Sequence, residues 1–122
     1  MYKLLLIAIG GAMGTLARYG TTSALQPISY RFPWGTLAVN LLGCFVIGLI
    51  QGVAERGLLA PQYRVPMLVG FLGGYTTFSS FGWETASFLQ DGQFVRAGLN
   101  VLGNNVIGVV LVMLGYIIGA RP

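Results

Sequence analysis

The chain has 122 residues, of which 55% are hydrophobic and only 8% are charged, and its mean hydropathy is +0.75. Soluble domains carry about 25% charged residues, so this composition excludes most soluble classes and indicates an integral membrane protein. With no histidine, one cysteine and three acids, the sequence excludes a zinc centre, a Ser-His-Asp triad and a disulfide framework. We therefore expect no catalytic residues and no enzyme activity. The net charge is +4, but the basic residues are spread singly, which argues against a nucleic-acid partner.

Four apolar segments are each long enough to cross a bilayer, which takes about 20 residues as a helix. They cover residues of about 4–25, 34–54, 66–89 and 94–119. The connections between them are short, so neighbouring helices must run antiparallel. We therefore predict an all-α, multi-pass membrane protein whose residues 1–122 form a single four-helix transmembrane domain. The first segment runs past the length of a secretory signal, and we expect it to be retained.

The basic residues give only a weak orientation signal. Four of them fall on the side of the termini, and two or three on the other side, depending on where Arg18 lies. Orientation follows the imbalance of Lys and Arg between the two sides. This small imbalance permits a single orientation, and it equally permits insertion in both orientations with opposite copies pairing as an antiparallel dimer.

Each of the four segments contains two glycines spaced four residues apart. The pairs are Gly10 and Gly14, Gly48 and Gly52, Gly70 and Gly74, and Gly115 and Gly119. Lipid provides no hydrophobic force between helices, so their association depends on backbones that approach closely. We predict that these glycine pairs lie where helices touch one another.

The third segment departs most from a lipid-facing helix. Its middle reads GGYTTFSSF, with two glycines and four hydroxyl residues. Two adjacent glycines disfavour a helix by about 2 kcal/mol relative to alanine, and Ser and Thr compete for backbone hydrogen bonds. We predict a break between Gly73 and Thr77, which at membrane depth must be buried in protein or face water, where it can bind ions. A continuous, hydroxyl-rich packing helix is the alternative.

Other polar residues at membrane depth leave alternatives open. Asn40 in the second segment either joins two helices or lines a pathway. In the fourth segment, Asn100 and Asn104 share one helical face, while Asn105 is rotated away from it. Arg18 lies far along the first segment, where it can line a vestibule, reach the interface or meet a carboxylate.

Phe78 and Phe81 lie three residues apart, which places both rings on one helical face. The edge of an aromatic ring is positive, so rings presented edge-on can accept an anion without a fixed charge. Spacing alone nevertheless favours ordinary packing residues. Glu84 follows one turn later, as a proton or cation site or as a half-exposed charge near the end of its helix.

Three motifs together resemble a known family. They are IGGAMGTLARYG with Arg18, WGTLAVNLLGCFVIG with Asn40, and GFLGGYTTFSSFGWET with both phenylalanines and Glu84. Across nearly its whole length the chain resembles the Fluc (CrcB) family of bacterial fluoride channels. The resemblance implies a channel in the inner cell membrane that exports fluoride passively and so relieves fluoride toxicity.

The resemblance also implies an assembly and a set of site residues. The assembly is an antiparallel, dual-topology homodimer with two fluoride pathways and a central structural Na⁺. The Na⁺ would be bound by backbone carbonyls of both subunits, at Gly73 and Thr76. The fluoride pathway would be lined by Asn40, Thr77, Phe78, Ser80 and Phe81. The vestibule and supporting residues would be Arg18, Glu84 and Asn104.

The fourth segment departs from the family pattern. Members can carry a track of Ser and Thr along the fourth helix, but residues 101–118 contain neither. The polar side chains there are Asn104, Asn105 and Tyr116. Either the asparagines replace the track or this chain works without it.

Two other functions are compatible with the composition. A proton-coupled small multidrug-type transporter also has about four helices and can insert in both orientations. It depends on an acid in its first helix, however, and residues 4–25 contain none. A non-selective small structural membrane subunit is the other alternative, and it would show no ion preference.

Overall fold

Long apolar runs without internal proline form the uninterrupted helices of this protein. The computed structural model describes residues 1–122, which are helical with short connections and no strands. The helices are α1 (Tyr2–Leu25), α2 (Trp34–Glu55), α3 (residues 61–75), α4 (Phe78–Gln90) and α5 (Phe94–Ala120). Three of them, α1, α2 and α5, are each long and apolar enough to cross a membrane, and α3 with α4 makes up a fourth, bent helix.

The third helix begins at Pro61, before the predicted start near residue 66. Proline is well tolerated at the first position of a helix, because the N–H that it lacks would have no helical partner there. Pro66 is a second proline in the same helix, and it opens a π-helical stretch, Pro66–Leu72. The prediction started the helix at Pro66, but the wider turn accommodates that proline inside α3.

Close backbone contacts hold the helices together in two pairs, α1 with α3 and α2 with α5. A methyl group on Gly14 would overlap the carbonyl oxygen of Phe71, and one on Gly48 would overlap that of Val112. The remaining glycines of the four pairs also lie against neighbouring backbone: Gly10, Gly52, Gly70, Gly74, Gly115 and Gly119. The prediction that these pairs lie where helices touch is therefore confirmed.

Most of the apolar surface is on the outside of the chain. Only 21 of 122 residues are buried, and long apolar side chains such as Leu16 (70% exposed) and Val109 (63% exposed) point outward. A soluble four-helix protein would bury these side chains. An outward apolar surface is what a lipid environment requires, so the chain is a membrane protein.

Two glycines in the left-handed conformation terminate helices. Gly57 (φ 72°) follows α2, and Gly92 (φ 70°) lies in the tight turn between α4 and α5. Glycine pays no Cβ penalty in this conformation, which makes it the usual residue just past a helix end. The second of these turns brings α5 back beside α4.

Candidate functional site

The third helix is interrupted at two threonines. Thr76 (φ −85°, ψ 159°) and Thr77 (φ −148°, ψ 112°) are extended and separate α3 from α4. The break that the sequence predicts is therefore present. Gly73 and Gly74, which motivated that prediction, remain helical. The β-branched threonines adopt the extended conformation, which suits them better than a helix does.

The side-chain amide of Asn40 pairs with the backbone of Thr77. Asn40 Nδ2 donates to the Thr77 carbonyl oxygen at 3.1 Å, and the Thr77 N–H donates to Asn40 Oδ1 at 2.9 Å. A buried backbone group without a partner costs about 1–3 kcal/mol. Asn40 thus supplies partners to a residue that the break has taken out of the helical hydrogen-bond pattern, and it joins α2 to the third helix.

A chain of hydrogen bonds continues from Asn40 into α5. Asn40 Nδ2 also donates to Asn104 Oδ1 at 2.8 Å. Asn104 Nδ2 donates to the carbonyl oxygen of Asn100 at 2.9 Å and to its Oδ1 at 3.1 Å. Asn100 is completely buried and donates to Thr85 Oγ1 at 3.0 Å. We call these four side chains (Asn40, Asn104, Asn100 and Thr85) the asparagine ladder, which links α2, α5 and α4 beside the break.

Thr77 also caps the start of α4. Its hydroxyl oxygen accepts the Ser80 N–H at 3.3 Å, and its hydroxyl proton is donated to Ser80 Oγ at 3.0 Å. Threonine at this position satisfies one of the N–H groups that a helix start leaves without partners. The hydroxyl proton of Thr77 is therefore used within the chain, whereas that of Ser80 stays available.

An open cavity of about 330 Å³ lies beside the break. It brings together seven of the predicted site residues, which are Asn40, Gly73, Thr76, Thr77, Phe78, Phe81 and Asn104. The two ring centroids are 5.4 Å apart and the rings are inclined by 55°. Phe81 is 7% exposed and packed in the chain, whereas Phe78 is 80% exposed. Phe78 is therefore not an ordinary packing residue within one chain.

A second cavity, of about 390 Å³, contains Arg18 and Ser80 and is lined almost entirely by polar side chains. Thr77 lines both this polar cavity and the one beside the phenylalanines. The two spaces therefore adjoin at the break. Arg18 thus lies in a polar cavity, and its role as a vestibule residue stays a prediction.

Glu84 lines a third cavity, of about 480 Å³, together with Arg31. Its Oε1 accepts a hydrogen bond from the Thr36 hydroxyl at 2.5 Å, while its Oε2 is buried and has no partner in the chain. Ser80 and Thr36 line both this cavity and the polar cavity with Arg18. Glu84 is thus half-buried, in a cavity that shares lining residues with the polar cavity of Arg18.

The carbonyl groups of Gly73 and Thr76 lose their helical donors at the break. The Thr77 N–H, which would bond to the Gly73 carbonyl in a helix, donates to Asn40 instead. The Ser80 N–H, which would bond to the Thr76 carbonyl, donates to the Thr77 hydroxyl. Two carbonyl oxygens without their helical donors suit a hard cation. No group of three or more His, Cys, Asp or Glu side chains is present that could bind a metal ion.

Nearly the whole chain matches one family of membrane proteins. A family model described as "CrcB-like protein, Camphor Resistance (CrcB)" matches residues 5–116. The chain belongs to the CrcB family. This agrees with the resemblance found in the three sequence motifs.

Several relatives of this CrcB chain bear the name "Fluoride-specific ion channel FluC". The relative from Nitrosococcus oceani is 44% identical over 95% of this chain and 94% of its own length. That from Solibacter usitatus is 46% identical over 98% of this chain and 99% of its own length. One from Geobacter sulfurreducens is 46% identical over 90% of this chain and 90% of its own length.

Two residues of the CrcB site, Thr36 and Thr85, were not predicted from the sequence. Thr36 bonds to Glu84, which lies 48 residues away, and Thr85 bonds to Asn100, which lies 15 residues away. A threonine within an apolar helix is not unusual by itself, and nothing near Thr36 points to a distant carboxylate. Thr85 follows Phe81 by one turn, and that spacing could have identified it as a residue on the same helical face as the ring.

Asn105 lies differently from its predicted position. The sequence placed it away from the face of Asn104, but both residues line the cavity beside the phenylalanines. The cause is the π-helical turn Gly103–Ile107, which contains both residues. A π-helix closes its hydrogen bonds over five residues, so successive side chains are separated by a smaller angle than in an α-helix.

Proposed function

We propose that this chain is a fluoride-selective ion channel that lets F⁻ leave the cell passively and so relieves fluoride toxicity. One observation carries the proposal: the backbone breaks at membrane depth, beside a cavity that Phe78 and Phe81 line. Broken backbone at that depth is tolerated where it is buried or lines an aqueous cavity. The relatives named fluoride-specific ion channels support F⁻ as the ion. The absence of an acid from α1 disfavours the proton-coupled transporter.

Fluoride is strongly hydrated, so a pathway must replace its water contacts at every step without trapping it. Arg18 in the polar cavity draws the anion toward the break, and the free Ser80 hydroxyl donates to it there. Thr77 lies between this cavity and the next. Beyond Thr77, the ring edges of Phe78 and Phe81 present partial positive charge. None of these contacts pairs F⁻ with a buried fixed charge, so the ion can move on.

Efflux from liposomes tests the channel function directly. The purified protein is reconstituted in vesicles loaded with potassium fluoride or potassium chloride, and valinomycin starts the efflux. A fluoride electrode and a chloride electrode follow the two anions, with protein-free vesicles as the control. We expect rapid loss of F⁻ and little loss of Cl⁻. Equal rates for the two anions would overturn the proposal, and uptake of cationic drugs under a pH gradient would favour the transporter.

The working unit that we propose is an antiparallel homodimer in the lipid bilayer of the inner membrane. Phe78 is 80% exposed, and the cavity beside it opens at the surface of the chain, where a second copy would cover both. The weak imbalance of basic residues permits insertion in both orientations.

Labelling from one side of the membrane tests this topology. In a Cys44→Ala background, Pro122→Cys introduces one cysteine at the chain end without changing the charge, and a membrane-impermeant maleimide is added outside sealed inner-membrane vesicles. We expect about half of the chains to react before the membrane is opened and the rest afterwards. Complete labelling or complete protection before opening would show a single orientation and contradict the antiparallel dimer.

A structural Na⁺ at the centre of this dimer is a further part of the proposal. The Gly73 and Thr76 carbonyls of both copies would bind it, since the hydrogen bonds of Asn40 and Thr77 leave those oxygens without helical donors. When bound, a cation of this kind balances the negative ends of carbonyl groups that would otherwise repel one another.

Two measurements test the Na⁺ site. Atomic emission on protein purified in sodium-free buffer should find about one sodium per two chains, as one site at a two-fold axis requires. Replacing Na⁺ by a large organic cation over several days should lower fluoride flux and the thermal stability of the dimer. Full stability and flux with no sodium in the protein would contradict this site.

A further inference from the structure

An anion in the cavity beside the phenylalanines needs hydrogen-bond donors, and the side-chain amides of Asn40 and Asn104 have none left. Asn40 Nδ2 makes two hydrogen bonds, to the Thr77 carbonyl and to Asn104 Oδ1. Asn104 Nδ2 also makes two, both to Asn100. A side-chain amide has two N–H donors. Both residues of the asparagine ladder that line this cavity therefore have all their donors occupied.

The hydroxyl groups of the cavity are occupied in the same way. Thr76 Oγ1 donates to the Leu72 carbonyl at 3.0 Å, and Thr77 Oγ1 donates to Ser80 Oγ at 3.0 Å. Each hydroxyl has one proton to give. Of the remaining lining side chains with hydrogen on a heteroatom, Cys44 offers only a thiol, which is a weak donor.

Asn105 is the exception among the amides. It lines the cavity and is exposed, and its Nδ2 makes a single hydrogen bond, to the Val101 carbonyl one turn back at 2.8 Å. That bond fixes the side chain against its own helix and leaves the second N–H free. The π-helical turn Gly103–Ile107 brings this residue to the cavity.

We infer that Asn105 is a fluoride-binding residue whose free amide N–H donates to F⁻ in the cavity beside Phe78. The inference rests on the proposed function and adds a residue to it. A hydrogen bond to an anion is shorter and stronger than one between neutral groups. Binding at Asn105 also leaves the ladder undisturbed, whereas binding at Asn40 or Asn104 would break one of its bonds. The fourth helix thus supplies a donor without any Ser or Thr.

Fluoride efflux from reconstituted vesicles, measured at several fluoride concentrations, tests this role. Asn105→Leu keeps the approximate size of the side chain and removes its donors, and Asn105→Ser keeps one donor on a shorter chain. We expect Asn105→Leu to lower the flux roughly tenfold at low fluoride, since a hydrogen bond to a charged group is worth about that factor. We expect a smaller loss when fluoride is high, because weaker binding is then compensated by concentration. Asn105→Ser should recover much of the flux.

Val106→Leu is the matched control, because Val106 is exposed, lies in the same π-helical turn and does not line the cavity. It should conduct like the original chain. Equal flux for the original chain and Asn105→Leu would overturn the inference and leave the proposed function standing. Equal losses in the Leu and Ser variants would overturn it as well, since shape rather than a donor would then matter. If the original chain itself fails to pass F⁻, the proposed function fails and this role falls with it.

Discussion

The contact between α2 and α5 and the break in the third helix meet the same requirement in opposite ways: inside a membrane, every backbone N–H and C=O group needs a hydrogen-bond partner. Along α2 and α5, Gly48 and Gly115 let the two backbones touch, and every helical hydrogen bond stays inside its own helix. At Thr76 and Thr77 the helical pattern is lost, and the side chains of Asn40 from α2 and of Thr77 itself supply the missing partners.

This difference separates positions that determine the stability of the fold from positions that determine fluoride conduction. A contact between backbones leaves no space for an added atom, so substitutions there should act on folding. A break with amide and hydroxyl partners leaves groups facing cavities, so substitutions there should act on flux. The asparagine ladder joins the two regions, and its members should affect both properties. The following variants test that division, in order of decreasing effect.

Gly48→Ala should have the largest effect. Its new methyl group would meet the carbonyl oxygen of Val112, and neither backbone can move without separating α2 from α5. We expect a loss of about 3 kcal/mol or more in the free energy of unfolding. The fraction of protein that stays monodisperse after heating should therefore fall well below that of the original chain.

Gly98→Ala is the control for that variant, since a methyl group on Gly98 meets nothing within 4 Å. Alanine is a better helix former than glycine, so stability should stay the same or rise by up to about 1 kcal/mol. If the two variants behave alike, close contact is not what stabilises the α2–α5 pair.

Asn40→Leu should impair both folding and conduction. The Thr77 N–H and carbonyl both lose their partner, at a cost of about 1–3 kcal/mol each. We expect a stability loss of about 3 kcal/mol and a fluoride flux at least roughly tenfold lower. Gln51→Leu is a matched amide replacement on the same helix, because Gln51 bonds only to Arg64 at an exposed position. It should change neither property, and similar behaviour of the two variants would contradict the role of Asn40 at the break.

Phe78→Ile should lower conduction without affecting folding. The ring is 80% exposed, so its removal should change the stability of the chain by no more than about 0.5 kcal/mol. The loss of a positive ring edge should cut fluoride flux roughly tenfold. Phe94→Ile replaces another exposed ring, 69% exposed and outside the cavity, and should conduct normally. Normal flux in Phe78→Ile would show that the ring of Phe78 does not contribute to the fluoride pathway.

Thr85→Val should have the smallest effect. The change keeps the shape of the side chain but removes the oxygen that accepts from the buried Asn100. We expect a stability loss of about 1 kcal/mol and a two- to threefold lower flux, roughly what one lost hydrogen bond gives. Thermal unfolding and efflux are measured on the same preparation. Unchanged stability would show that the hydrogen bond from Asn100 to Thr85 does not stabilise the ladder.

The features that the sequence predicted well depend on local chemistry. Apolar length indicates the helices, glycine spacing indicates the contacts, and two glycines with four hydroxyl residues indicate the break. Predictions were less accurate where two local preferences compete. Pro66 suggested a helix start, yet a π-helical stretch includes it within α3. The glycines suggested where the helix breaks, yet the threonines that follow them are the extended residues.

The amino-acid sequence by itself determined that the chain lies in a membrane, which segments are helical and where the third of them gives way, because each of these follows from residues close together in the chain. Only the tertiary structure decided what satisfies the break. Asn40 lies 37 residues from Thr77 and 64 residues from Asn104, so their hydrogen bonds exist only once α2, α4 and α5 are packed side by side. The same packing, together with one wide turn in α5, leaves Asn105 with a donor that its neighbours no longer have.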